Sequence, residues 1–134
     1  MTTLATFYTA LTALAPTGVT VLSNPAREAG DLSSAKRPVM WVDSLGFDEA
    51  QLHAKSLGGD RTLRARLVVV TEAETQDRHA NRWSDARAMA DTLDTAIKTL
   101  ASTYHVARYT MSVEPNLLGM YFGVVAELEV EAFG

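Results

Sequence analysis

Cysteine is absent from the 134-residue chain. Without a thiol, the protein can form no disulfide, no iron–sulfur cluster and no thiolate zinc site, and no cysteine nucleophile is available. This composition is compatible with a reducing compartment. The length predicts one domain spanning residues 1–134, and a domain of this size buries enough surface to fold without covalent staples.

Long apolar runs and a basic excess are also missing. The most apolar stretch, residues 117–126, has about half of the roughly 20 residues that a membrane-spanning helix needs. Sixteen acidic residues against twelve basic ones give a net charge of −4, whereas nucleic-acid binders are usually basic. The first basic residue is Arg27, so no positive signal-peptide region is expected. We therefore predict no membrane partner and no specific nucleic-acid binding.

The sequence motifs of common enzymes are missing too. It contains no glycine-rich phosphate loop and no G-x-S-x-G nucleophile elbow. His53, His79 and His105 lie in separate segments without metal-ligand spacing. Residues 33–36 match S-x-x-K, but the companion motifs of that enzyme class are absent. These absences predict a protein that is not an enzyme and has no cofactor or bound metal.

Two groups of carboxylates are the remaining candidates for acid–base chemistry or a hard cation. Glu72, Glu74 and Asp77 follow a predicted strand, and Asp91 and Asp94 lie one turn apart on a predicted helix. Because the helical pair lies beside the apolar stripe and not within it, a solvated face is the favoured interpretation.

Apolar residues at steps of three and four predict two helices. The first spans Thr2 to Ala15, with Thr2 or Thr3 as its cap. Asn81 is the predicted cap of the second, in which Asp94 and Lys98 form a favourable pair one turn apart. Its stripe is the longest in the chain and consists of Trp83, Ala86, Ala90, Leu93, Ile97, Leu100 and Tyr104.

β-Branched residues and alternating polarity predict the strands. These are Val19–Leu22, Val39–Val42, Thr62–Thr71, Arg108–Val113 and Leu118–Ala132. Residues 23–37 read as a long polar loop, and residues 114–116 as a turn around Pro115. Glycines interrupt residues 43–60, which are left unassigned.

This order predicts an α+β domain with an antiparallel or mixed sheet of about four to five strands and two α-helices packed on one face. On the opposite face, Val68, Val70, Tyr121 and Val125 are predicted to form an exposed apolar patch, which is typical of an interface. The alternative is that residues 43–60 fold over that face.

Beside this patch lies a predicted charged face, made of Arg64, Arg66, Glu127, Glu129 and Glu131. If the two strands are neighbours, the arginine and glutamate rows pair across the sheet, which is the favoured interpretation. The alternative is that the glutamates line a channel and repel phosphates.

Residues 76–82 are dense in charge and form either a polar connection or a partner contact. Together with the polar loop and the apolar patch, they complete the candidate partner or subunit interface: Asp31, Lys36, Arg37, Val68, Val70, Arg78, His79, Arg82, Tyr121 and Val125.

The order of elements carries a resemblance that covers nearly the whole chain. It comprises a first helix, a strand, a long polar loop, a strand at residues 37–42, a strand at 64–71 ending in Thr71-Glu72-Ala73, a long helix and final strands at 109–113 and 120–133. This order and texture resemble the small tail terminator proteins of long-tailed bacteriophages.

The resemblance implies a structural virion protein of the tail or neck, assembled in the host cytoplasm. Such proteins form a ring, usually of six subunits, that caps the completed tail tube and meets the head-side connector, with DNA only as passing cargo. The family supplies no motif residues to carry over. Alternatives are another head–tail joining or neck protein, or a small α+β enzyme or ligand-binding domain whose pocket uses Trp41, Tyr104 and one carboxylate.

Overall fold

The computed structural model describes residues 3–32, 38–49, 61–73, 79–119 and 121–132. The helices are α1 (Leu4–Thr12) and α2 (His79–Lys98), and 3-10 helical turns lie at Ala29–Leu32 and Thr99–Ser102. The strands are β1 (Thr20–Val21), β2 (Val39–Glu49), β3 (Arg61–Ala73), β4 (His105–Leu117) and β5 (Tyr121–Ala132).

In the described parts of the chain, the strands form one mixed sheet in the order β1-β2-β3-β5-β4. β1 is parallel to β2, and the other neighbours are antiparallel. A mixed five-stranded sheet with two helices on it confirms the predicted α+β class.

Both helices pack on the same face of the sheet, as predicted. Thr3 caps α1 by accepting a hydrogen bond from the backbone N–H of Thr6 at 3.1 Å. The ring centroids of Phe7 in α1 and Tyr104 are 5.4 Å apart, so α1 packs against the segment that follows α2. The main core combines residues of both helices with the inward residues of β2, β3 and β5: Phe7, Leu11, Leu93, Ile97, Met40, Leu67, Val69, Val124, Ala126 and Leu128.

A second core lies on the opposite face. A segment that we call the strap, residues 22–32, crosses the sheet there and inserts Ala26 and Leu32. Leu22, Leu117 and Leu118 pack at the margin of this core. The strap and the sheet together bury Val39, Trp41, Val68, Val70, Tyr121 and Val125.

The second core overturns one prediction about the sheet. The four residues predicted as an exposed patch, Val68, Val70, Tyr121 and Val125, are at most 6% exposed. The alternative cover, residues 43–60, is also wrong in its described part, since residues 43–49 continue strand β2. Most of the strap belongs to the predicted polar loop, and its apolar residues Ala26 and Leu32 cover this face of the sheet.

Several element boundaries differ from the predicted ones. Asn81 lies inside α2, which begins at His79, so Asn81 is not the cap. Pro115 lies within β4 and not in a turn. β4 is the outermost strand, and an edge strand tolerates a proline because the missing N–H costs no hydrogen bond to a neighbouring strand. The chain turns instead at Leu118 and Gly119, which have φ of 53° and 85°.

Gly123 marks a close approach between two strands. Gly123 belongs to β5 and pairs with Val70 of β3, next to the register shift between Val70 and Glu72. A β-carbon at position 123 would overlap the backbone oxygen of Val69 and lie 2.6 Å from a methyl carbon of Leu117. By contrast, a β-carbon at Gly46 of β2 would meet no atom within 4 Å.

We expect Gly123→Ala to lower the free energy of unfolding by about 3 kcal/mol, because the backbone of β3 must move to admit the methyl group. Gly46→Ala is the matched control and should change it by about 0.5 kcal/mol or less. Urea unfolding measures both. Equal effects at the two positions would contradict the close approach.

Candidate functional site

The charged face, defined as Arg64, Arg66, Glu127, Glu129 and Glu131, lies where the sheet extends beyond the second core. The strand register arranges it in rows that cross the sheet. One row is Ser44, Arg66, Glu127 and Thr110, and the next is Gly46, Arg64, Glu129 and Arg108. A shallow concavity of about 620 Å³ follows these two rows.

Arg66 is the centre of the first row. Its guanidinium lies 3.4 Å from the Asp43 carboxylate and 3.8 Å from that of Glu127. The predicted pairing between the arginine and glutamate rows is therefore confirmed for Arg66 and Glu127. The Arg66 and Glu127 side chains are 43% and 63% exposed, so each contact is weak on its own.

Asp43 reaches this row because β2 bulges. The register of β2 with β3 shifts between Val42 and Ser44, which leaves Asp43 as the extra residue. Its carboxylate accepts a hydrogen bond from the indole N–H of Trp41 at 3.1 Å. The bulge thus links the edge of the second core to the charged face, and the sequence carried no clear sign of it.

In the second row, Glu129 lies directly opposite Arg64 on one side and Arg108 on the other. The Arg108 guanidinium approaches the Glu129 carboxylate at 4.0 Å. Glu131 lies opposite Thr62 and His105, beyond these rows. Because charges of both signs alternate here, the surface complements another mixed-charge protein surface better than it complements a polyanion.

Of the other predicted interface residues, the structure describes Asp31, Arg82 and the position of His79. Asp31 accepts hydrogen bonds from the backbone N–H groups of Arg27 and Glu28, at 2.8 and 3.2 Å, and so stabilises the strap. Arg82 is only 6% exposed in α2. Lys36, Arg37 and Arg78 lie outside the described residues, and of His79 only its place as the first residue of α2 is described.

The helical carboxylates separate into two environments. Asp91 is exposed, whereas Asp94 accepts a hydrogen bond from the Tyr109 hydroxyl at 2.8 Å and lies 2.9 Å from the Lys98 ammonium. This confirms the predicted pair with Lys98. The bonds from Lys98 and then Tyr109 hold the pKa of Asp94 below its ordinary value. Burial, and secondarily Asp94, raise the pKa of Tyr109.

No sequence pattern predicts the role of Tyr109, although it is an inward-facing polar aromatic on an alternating strand. Its bond to Asp94 ties α2 to β4 and is structural in character. Glu74 and Asp77 lie outside the described residues. Among those that are described, no three histidine or carboxylate side chains are grouped to hold a metal.

The pocket proposed for a small enzyme or binding domain is not formed from its predicted residues. Trp41 belongs to the second core under the strap, and Tyr104 belongs to the main core under the helices. The sheet lies between them, so the two rings cannot line one cavity.

No protein-family model matches the sequence, and no curated protein is significantly similar to it. Within the ranges that the structure describes, neither helix combines the length and apolar character needed to cross a bilayer.

A double-mutant cycle tests the charged face. We expect Arg66→Glu and Glu127→Lys each to lower the free energy of unfolding, and the double reversal to recover about 0.2 to 1 kcal/mol. The coupling should shrink in high salt. A cycle between Arg66 and Glu131, which are not cross-strand neighbours, should give no coupling; equal coupling in both cycles would reject specific pairing.

Tyr109→Phe tests the bond to Asp94. A carboxyl whose pKa is lowered in the folded state stabilises the protein above its ordinary pKa of 3.8, and this stability is lost as the pH falls through the lowered value. The variant should therefore raise the pKa of Asp94 and be destabilised at neutral pH, with a smaller deficit in acid. Carboxyl-carbon NMR titration measures the pKa, with Tyr8→Phe as the control; an unchanged pKa in Tyr109→Phe would contradict the bond.

Proposed function

We propose that this protein is a structural subunit of a bacteriophage tail, which closes into a ring on the end of the completed tail tube as a tail terminator. The main support for this proposal is a sheet with two different open edges. β4 is the outermost strand on one side, and on the other side β1 covers only Val39 and Met40 of β2. No further strand lies beside either edge in the part of the chain that the structure describes.

A closed ring needs a subunit with two unlike contact surfaces on opposite sides, because each copy must bind one neighbour with each. Two unlike sheet edges meet that requirement. An isolated monomer, by contrast, normally protects its strand edges against pairing. The edges therefore favour an assembling protein over a solitary domain.

The order of elements adds support. The described helices and strands follow the same order on which the resemblance to tail terminators rests. The charged face offers a rigid, sheet-borne surface of mixed charge, which suits specific contact with the tail tube protein or the head-side connector. In this role DNA passes through the ring without specific binding, and the mechanism is association without chemical turnover.

Negative-stain microscopy tests the proposal. The purified protein is mixed with completed tail tubes of the phage whose genome encodes it, and tubes alone are the control. We expect a ring at one end of each tube. Binding only to the head-side connector would identify a neck component instead, and failure to bind either would overturn the proposal.

A further inference from the structure

We propose that the ring closes by sheet extension: the outer edge of β4 in one copy pairs, antiparallel, with the open edge of β2 in the next copy. This inference rests on the proposed ring and names its subunit contact. The occupant of each edge is thus a second copy of this chain, bound head to tail.

The strand directions fit this pairing. β2 and β5 run one way, and β3 and β4 run the other way. Rotation of a subunit about an axis close to the strand direction preserves these directions. The neighbouring β2 therefore meets β4 antiparallel, which continues the alternation already present across β2, β3, β5 and β4.

The open lengths of the two edges also match. β1 blocks β2 at Val39 and Met40, and the bulge at Asp43 interrupts the strand, so its regular open part is residues 44–49. In β4, register shifts interrupt the ladder between Val106 and Arg108 and again between Glu114 and Leu117, where Pro115 lies. The regular part is residues 108–114, so both strands offer a stretch of similar length.

Side chains on the helix face are complementary. Phe47, near the open edge of β2, is 39% exposed and is one of two large apolar residues exposed to that degree among those described. Leu45 lies on the same face and packs against the main core. Tyr109 and Met111 of β4 pack at the opposite margin of that core and are only partly buried. Pairing of β4 with the next β2 would cover Phe47 with these two side chains.

The charged face is complementary as well. Arg108 at the β4 edge is 79% exposed, and the nearest described carboxylate in its own subunit is that of Glu129, at the limit of ion-pair distance. At the β2 edge, the Asp43 carboxylate already contacts Trp41 and Arg66, and its side chain is still 21% exposed. Sheet extension brings Arg108 of one copy to the edge that carries Asp43 of the next.

Because the chain has no cysteine, disulfide trapping tests the contact directly. Ser44 and Thr110 are exposed, lie on the charged face and share one row across the sheet. Three strand spacings, about 14 Å, separate them within one subunit, which is too far for a disulfide. Any bond between cysteines placed there therefore joins two copies.

Three double variants combine Ser44→Cys with Arg108→Cys, Thr110→Cys or Ser112→Cys. They test three different registers between β4 of one copy and β2 of the next. They are oxidised at the highest attainable concentration and separated on non-reducing gels. We expect at least one pair to give a ladder that ends at a single closed oligomer, with at least ten times the yield of the control. The control combines Ser44→Cys with Thr92→Cys on the exposed side of α2.

Yields equal to the control for all three pairs, or no self-association at all, would overturn the inference. Dimers from Ser44→Cys alone or Thr110→Cys alone would also overturn it, since they would show symmetric edge pairing. The two proposals can be distinguished. Cross-linked rings that do not bind tail tubes would support the edge contact and contradict the proposed function. Rings on tube ends without disulfide formation would support the function and contradict the edge contact.

Discussion

Burial of the central strands on both faces is the constraint on which the fold depends. Leu67, Val68, Val69 and Val70 of β3 are all buried, although successive side chains point to opposite sides of a sheet. The helices cover one side, and the other side therefore needs a cover of its own, which the strap provides. Where the strap ends, the outward positions of β3 and β5 become arginines and glutamates.

The periodic segments allowed most of the fold to be predicted. Both helices, the shared face on which they pack and the pairing of an arginine row with a glutamate row follow from spacing and alternation, whereas the register that places Arg66 opposite Glu127 does not. The strap could not be predicted, because the apolar run from Leu67 to Val70 is compatible both with an exposed patch on one face and with burial of both faces. The bulge at Asp43 and the bond between Asp94 and Tyr109 depend on contacts between strands and helices that no local pattern encodes.

The same constraint limits where partners can bind. With both faces of the strap-covered half committed to cores, the charged face and the two sheet edges are the parts of the described sheet that remain open to contact. A subunit that shares backbone hydrogen bonds with its neighbours gains order from the assembly itself. The proposed ring would complete a sheet that the described part of one chain leaves open.

Sedimentation velocity over a wide concentration range measures the self-association on which the proposed ring depends. We expect monomers at low concentration and one discrete, closed oligomer at high concentration or on addition of tail tubes, because each edge contact is short and closure of the ring supplies the cooperativity. Monomers at every concentration with and without tubes, or a mixture of sizes that grows without limit, would contradict it.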